Sequence, residues 1–317
     1  MLPIIVVRRP WSFYFLQLLV FIIISGIGCG IASRAVLKIN SAASLNRGDY
    51  LGLALGGVFV FLAVYMVFRY FKNAPSIIAG ESSISFGGRE VYALADILDI
   101  RFTGKVPLHV LWSFPVEGTR ILLKNGTEKY IYDDFYPNTW ELKSFLKQRV
   151  VDKKIYEPIV PQDATNNDDP ESIVFFKGNP ILSFSPIMAW TLIACASYLG
   201  YIMIQRGEPG VIFIGLAAFL FLALSSSLNY FGLSNNYFIV RNHHFLWMRH
   251  AFRIENIKEI IFETTPRGPN RLRIITHDFR SKIYGASTLR EKHWLALMNK
   301  LMDKGIVVRD ECIKPNG

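Results

Sequence analysis

YALADILDIRF, Tyr92 to Phe102, comes back later in the chain as FRIENIKEIIF, Phe252 to Phe262. Aromatic, acidic-or-amide, isoleucine, acidic and isoleucine positions fall in register, and self-similarity at a long period is read before any local motif. Outward from these stretches the similarity continues. LLKNGTEKYIY, Leu122 to Tyr132, lines up without gaps against IITHDFRSKIY, Ile274 to Tyr284. Each half then closes on an amphipathic helical pattern: Trp140, Leu142, Phe145 and Leu146 in one, Trp294, Leu295, Met298 and Leu301 in the other. Upstream, IIVVRR (Ile4 to Arg9) and IVFFKG (Ile173 to Gly178) are extended runs followed closely by Pro10 and Pro180. Alternating strand patterns occupy Ser83 to Phe86, Arg120 to Leu123 and Tyr237 to Val240. The chain therefore reads as an internal duplication, with polar PQDATNNDDP, Pro161 to Pro170, as the linker between copies.

Between the opening strand and the quoted stretch, each half holds two long apolar windows. Trp11 to Ser33 runs 23 residues without a charge, Tyr50 to Phe68 runs 19, Pro186 to Ile204 19 and Gly210 to Phe231 22. A bilayer core takes about 20 helical residues. Four transmembrane helices in two hairpins are expected, over about 11–33, 50–71, 186–204 and 210–231. Arg8 and Arg9 would also suit a signal peptide, but the apolar run exceeds the ~7–15 residues of such a segment, and a second window follows. No window holds Asp, Glu, Lys, Arg or His, which argues against an ion pathway or proton relay. Small-residue spacing at Gly26-x-x-x-Gly30, Gly52-x-x-x-Gly56 and Ala196 with Gly200 predicts close helix packing.

Four spans place the N-terminus, both polar segments and the C-terminus on one side. Arg8, Arg9, Arg69 and Lys72 flank the first hairpin there, against Arg34, Lys38 and Arg47 in its short loop; Lys177 and Arg241 outnumber Arg206 at the second. The positive-inside rule then puts the polar segments in the cytoplasm. Cys29 and Cys195 fall within apolar windows and Cys312 in the tail, so no disulfide framework is expected.

A run of short strands, a turn-strand of the type Asp96-Ile97-Leu98-Asp99-Ile100 or Asn256-Ile257-Lys258-Glu259-Ile260, and a single closing helix together resemble the pleckstrin-homology-like (PH-like) domains of small bacterial membrane proteins. The resemblance covers about half of the chain. It implies a bent, partly open β-barrel capped by a helix, no catalytic residues, and an inner-membrane location. The fold class expected is thus membrane α-helical plus α+β, with a PH-like unit after each hairpin. Its segments are residues 1–72 (strand and first hairpin), 73–160 (first PH-like domain), 161–185 (linker and strand), 186–233 (second hairpin) and 234–317 (second PH-like domain). GKVPLHVLWSFP, Gly104 to Pro115, is an insertion that the second copy nearly lacks.

Candidate chemistry is sparse. Asp133 and Asp134 fall between a strand and a helix, where short acidic side chains accept hydrogen bonds from free backbone N–H groups; a corner is expected rather than a catalytic pair. Five of the six histidines lie in the second half. His243 and His244 are adjacent on an expected hairpin, so their side chains point apart, and solvated turn histidines are expected rather than zinc ligands. No phosphate loop, nucleophile elbow or metalloprotease motif is present, and no catalytic, cofactor or metal site is assigned. Charge is more telling. Ser234 to Gly317 carries 15 basic against 8 acidic residues, a net of +7, whereas Asn73 to Ser185 is −3. The basic patch expected to bind anionic lipid or a protein partner comprises Arg241, Arg249, Arg253 and Lys282. The function expected is a non-enzymatic inner-membrane protein presenting two cytoplasmic modules to anionic lipid headgroups or protein partners. The alternative is an accessory or assembly subunit of a larger membrane complex. No nucleic acid partner and no cofactor are expected.

Overall fold

The computed structural model describes residues 4–41, 44–160, 173–181, 183–207, 210–264 and 270–311. The expected linker, Pro161 to Pro170, and Cys312 lie outside them. The chain divides into two compact units, Met1–Ile159 and Val160–Gly317, of mixed α+β structure with antiparallel sheets.

In the first unit β1 (Ile5–Val7) leads into α1 (Trp11–Asn40), and α2 (Arg47–Asn73) returns to β2 (Ile77–Ala79). β1 and β2 pair, Ile5 opposite Ala79 and Val7 opposite Ile77, so the helical hairpin springs from between two neighbouring strands. β3 (Ser83–Phe86) and β4 (Glu90–Ala93) complete the sheet β1-β2-β3-β4. Ile5, Val7, Ile77, Ala79, Ile84 and Phe86 alternate inward at the two-residue period of a half-buried strand. A 3₁₀ turn (Leu94–Asp96) hands over to the second sheet: β5 (Ile97–Arg101), β6 (Lys105–His109), β7 (Ser113–Leu123) and β8 (Glu128–Tyr132). The long β7 serves three partners, pairing β6 along its first half and β5 and β8 along its second. At the changeover Gly118 is required, because a Cβ there would sit 2.5 Å from the Ile131 carbonyl. α3 (Thr139–Leu146) closes the core with Leu142, Phe145 and Leu146.

The second unit comprises β9 (Val174–Phe176), α4 (Phe184–Gln205), α5 (Val211–Ser227), β10 (Asn229–Leu233), β11 (Tyr237–Asn242) and β12 (Arg249–Arg253). After a 3₁₀ turn (Ile254–Asn256) come β13 (Ile257–Thr264), β14 (Asn270–Thr276), β15 (Ser281–Gly285), α6 (Glu291–Asp303) and β16 (Val307–Asp310). Its sheets run β12-β11-β10-β9 and β15-β14-β13-β16, with β16 parallel to β13. Phe231, Phe238, Phe262, Ile274, Leu297 and Leu301 fill the core between sheets and α6.

Among the described residues three helices are long and apolar enough to cross a membrane, Trp11–Ser33, Arg47–Asn73 and Pro186–Gln205; Phe213–Ser227 is apolar but shorter. The fourth window therefore departs from expectation. Its last residues, Asn229 to Phe231, are the start of β10, where Phe231 lies opposite Phe176 and Val240. Sheet pairing on both sides wins over helix extension, and β10 begins at Asn229.

Helix packing corrects a second expectation. Gly26 and Gly30 face open space, whereas a Cβ on Gly28 would lie 2.7 Å from the Gly56 carbonyl and one on Gly56 2.5 Å from the Gly28 carbonyl. The close face is Gly28 and Ala32 against Gly52 and Gly56. In the second hairpin Gly200 is the close residue, packed on the Gly210 backbone. The far turn of the first hairpin is fixed by a capping box: Asn46 and Asp49 exchange side-chain and backbone hydrogen bonds, and buried Asp49 also pairs with Lys38 at 2.5 Å.

The hairpin register also differs. β14–β15 pairs Ile274 with Lys282, and β7–β8 pairs Ile121 with Lys129. Ile274 thus corresponds to Ile121, and the gapless match that set Leu122 against it is one residue out. The left-handed residues of the two turns, Gly126 and Phe279, agree with the shifted match. A one-residue slip turns every side chain to the opposite face; the shifted match sets core Ile131 against core Tyr284, and Asp133 against Ala286.

Candidate functional site

Asp133 and Asp134 begin a 3₁₀ turn, Asp133–Phe135. Asp134 is exposed, but Asp133 is buried, with Lys143 Nζ at 2.7 Å from its carboxylate. Lys143 comes from the inward face of α3 and is itself wholly buried. This corner is a buried ion pair that ties α3 to the end of β8, rather than the backbone cap expected.

The basic cluster is assembled on the outward face of the sheet β12-β11-β10-β9. Alternation puts Phe238 and Val240 into the core and Tyr237, Ile239 and Arg241 on the opposite face, where Tyr237 and Ile239 are covered and Arg241 is half-buried. Arg249 lies directly opposite Arg241 in the ladder, and Tyr230 lies opposite it on the other side. Next to them Phe175 faces Gly232, where a Cβ would approach the Phe175 ring to 2.8 Å. The glycine lets that ring lie flat on the sheet. Lys177 Nζ stands 5.1 Å from the Phe175 ring centre and 5.2 Å from that of Tyr230, and the Arg241 guanidinium stands 5.4 Å from Phe175. The His243 ring lies tilted against Tyr230, with centroids 4.8 Å apart. Two cations and an imidazole thus crowd around two aromatic faces, with Arg249 beside Arg241 in the ladder. Arg241 Nε and His243 Nε2 are shut off from solvent without a hydrogen-bond partner among the described residues.

Of the four residues expected to form the patch, Arg241 and Arg249 come together. Arg253 shares the face and strand of Arg249 but sits at the other end of β12, opposite Tyr237 and paired with Glu255 at 3.4 Å. Four residues of strand separate it from Arg249 by about 13 Å. Lys282 is on β15 in the other sheet, over Phe252. Lys177, Phe175, Tyr230 and His243 were missed. The one sequence signal for them was Ile173 to Gly178, whose pairing partner could not be named without the sheet.

His277 is an exposed turn residue, as expected, whereas His243, His244 and His250 are half-buried. His244 lies against Trp190 and Phe221 and bonds Ser225 Oγ through Nδ1 at 2.9 Å. Burial pushes the His243 pKa down, helped by His244 and Lys177; burial and then Lys282 do the same at His250. Because folding depresses both values, the unfolded chain takes up these protons first. Their contribution to stability is complete above the ordinary histidine value of about 6.5 and is lost as pH falls below it. Melting of the full chain in neutral detergent should therefore weaken from pH 7 to pH 5. His243→Asn with His250→Asn should flatten that slope.

The first unit has a cleft of about 570 Å³ lined by Arg9, Lys72, Arg89, Glu90 and Lys129 among others. Two of its cations are engaged within the chain. Arg9 donates to the Ala74 carbonyl, and the Lys129 hydrogen bond holds Glu90 below the ordinary carboxylate range. Among the described residues no group of three His, Cys, Asp or Glu side chains could hold a metal ion. No protein-family model matches the sequence, and no curated protein matches it.

Proposed function

We propose that the chain is a non-enzymatic integral membrane protein of four spans in two hairpins, each carrying a cytoplasmic PH-like unit. In this reading the second unit binds anionic lipid headgroups through Lys177, Arg241 and Arg249. The observation that carries it is the juxtaposition of Arg241 and Arg249 as direct cross-strand neighbours, with Lys177 over the same rings. Like charges placed opposite each other destabilise a sheet, and an anion between them reverses the sign. The cluster also sits where headgroups would be: Lys177 is followed by α4, and Tyr230 follows α5. Phosphate suits the guanidinium forks, and the aromatic faces suit an interfacial depth. Internal duplication is supported by the shared element order and by a bulge at the same place in each half, between Ile97 and Asp99 and between Ile257 and Glu259.

The test is lipid retention by the full-length protein in neutral detergent, measured by native mass spectrometry with phosphatidylglycerol against phosphatidylcholine. Phosphatidylglycerol should be retained preferentially. At about 1 kcal/mol per basic side chain near the surface, Lys177→Gln with Arg241→Gln should weaken retention roughly thirtyfold. Lys282→Gln should leave it unchanged. Equal retention of the two lipids by the unaltered chain would remove the headgroup assignment.

A further inference from the structure

We infer that each soluble unit is pinned to the bilayer by a β-hairpin tip that seats a tryptophan in the membrane interface, Trp112 in the first unit and Trp247 in the second. The first tip belongs to the Gly104–Pro115 insertion. β6 and β7 pair from Lys105 opposite Glu117 to His109 opposite Ser113, leaving Val110 to Trp112 as the turn. The hairpin is docked on the last turns of α2. Arg69 Nε and Nη2 donate to the His109 carbonyl at 3.2 and 2.9 Å, and Asn73 Nδ2 donates to it at 2.7 Å. Met66 and Tyr70 of α2 pack against Val106, Leu108 and Val110. Met66 lies inside the uncharged window, and Arg69 is the first charge after it. The tip therefore stands at the level where α2 leaves hydrocarbon. There Trp112 is 70% exposed and Leu111 follows Val110 into the turn.

The second unit reaches the same arrangement with different parts. β11 and β12 turn through His243 to Met248. Asn242 Nδ2 donates to the Ser225 and Ser226 carbonyls at the end of α5, at 2.8 and 3.3 Å, while its Oδ1 accepts from the His244 and Phe245 amides. The His244 ring lies against Trp190 of α4, itself within a candidate span, and against Phe221 of α5. Phe221 precedes the helix end at Ser227 by six residues, about 9 Å of axis. The loop thus runs down the flank of the helices rather than over their ends. At its tip Leu246 is 77% and Trp247 79% exposed.

A tryptophan so exposed beside a leucine is a liability in water, whereas the headgroup boundary is the preferred place for its amphipathic ring. The occupant is lipid because both tips continue the flanks of helices whose own surfaces are lipid-facing. This inference needs only that α2 and α4 cross the membrane. It does not depend on anionic headgroups, so it is tested in a neutral bilayer.

The experiment uses the full chain with Cys29, Cys195 and Cys312 replaced by serine. Trp112→Cys or Trp247→Cys is labelled with an environment-sensitive fluorophore in phosphatidylcholine nanodiscs. Asn236→Cys, in the turn at the other end of β11, is the control. Lipids spin-labelled near the headgroup should quench positions 112 and 247 several-fold more than position 236, and aqueous iodide should show the reverse order. Intrinsic fluorescence gives a second measure without labelling: Trp112→Phe and Trp247→Phe should each remove part of the emission quenched by brominated phosphatidylcholine. Iodide quenching at both tips equal to the control would overturn the inference. So would protection from both quenchers, which would mean that a protein covers the tips.

Discussion

Replacing Lys143 by methionine alone is expected to cost the first unit about 3–5 kcal/mol, the scale for leaving one partner of a buried pair uncompensated. Lys143 and Asp133 are both fully enclosed, with the ammonium 2.7 Å from the carboxylate. The second unit shows how the same corner is built without charge. The shifted register sets Ala286 where the first unit has Asp133, and both residues are buried. On the closing helices Leu142 and Leu146 occupy the i, i+4 core positions that Leu297 and Leu301 occupy, so Met298 follows Leu297 as Lys143 follows Leu142. Asp133→Ala combined with Lys143→Met should therefore recover most of the loss, because an apolar substitute of similar volume is often neutral or better. Asp134→Asn, on an exposed side chain, should stay within about 0.5 kcal/mol. Thermal unfolding of the full chain in neutral detergent reads all three. A double variant as unstable as Lys143→Met would show that the pair does more than fill the corner.

Gly56→Leu should break the first helical hairpin. Its Cβ alone would stand 2.5 Å from the Gly28 carbonyl and 2.8 Å from the Ala32 methyl. Both belong to a rigid helix, so the backbones must part. Overpacking costs about 1–3 kcal/mol where neighbours can shift, and the branched leucine should exceed that range. Gly26→Leu is the matched control, since a side chain there meets open space, and it should be near neutral. Protease resistance of the hairpin in detergent distinguishes the two. Equal sensitivity of both variants would return the packing face to the Gly26 and Gly30 side.

Element types were widely legible from residues. β3 spans Ser83–Phe86 as its alternation indicates, and the two closing helices carry the amphipathic stripes. The failures have specific physical causes. Asn229 to Phe231 extends an apolar run, and a buried strand cannot be told from a buried helix by apolarity alone; only its pairing with β9 and β11 decides. Gly26 and Gly28 are both glycines on one helix, and spacing without a partner does not choose between their faces. Lys143 reads as solvated, because lysine is almost never fully buried unless paired, and its partner lies ten positions earlier across a turn. At the candidate site, charge density singled out the second unit's basic residues. It could not separate Arg241 and Arg249, which are ladder neighbours, from Arg253 at the far end of the strand or Lys282 in another sheet. Lys177 belongs to β9's side of the helices, and only strand pairing across the whole hairpin brings it to Tyr230.

α5 stops at Ser227 because its last carbonyls are taken by Asn242 and β10 begins two residues later. Its 17 residues rise about 26 Å, against roughly 30 Å of hydrocarbon in an average bilayer. In the four-span reading this end cannot lengthen by unwinding or sliding, since the sheet holds it. The bilayer must then accommodate the helix by thinning around it, at a fraction of a kcal/mol per ångström of mismatch. Acyl-chain length, and not only headgroup charge, thus becomes a variable the protein responds to. Short-chain or disordered lipid would gather around the second hairpin, and thick, ordered membrane would exclude it.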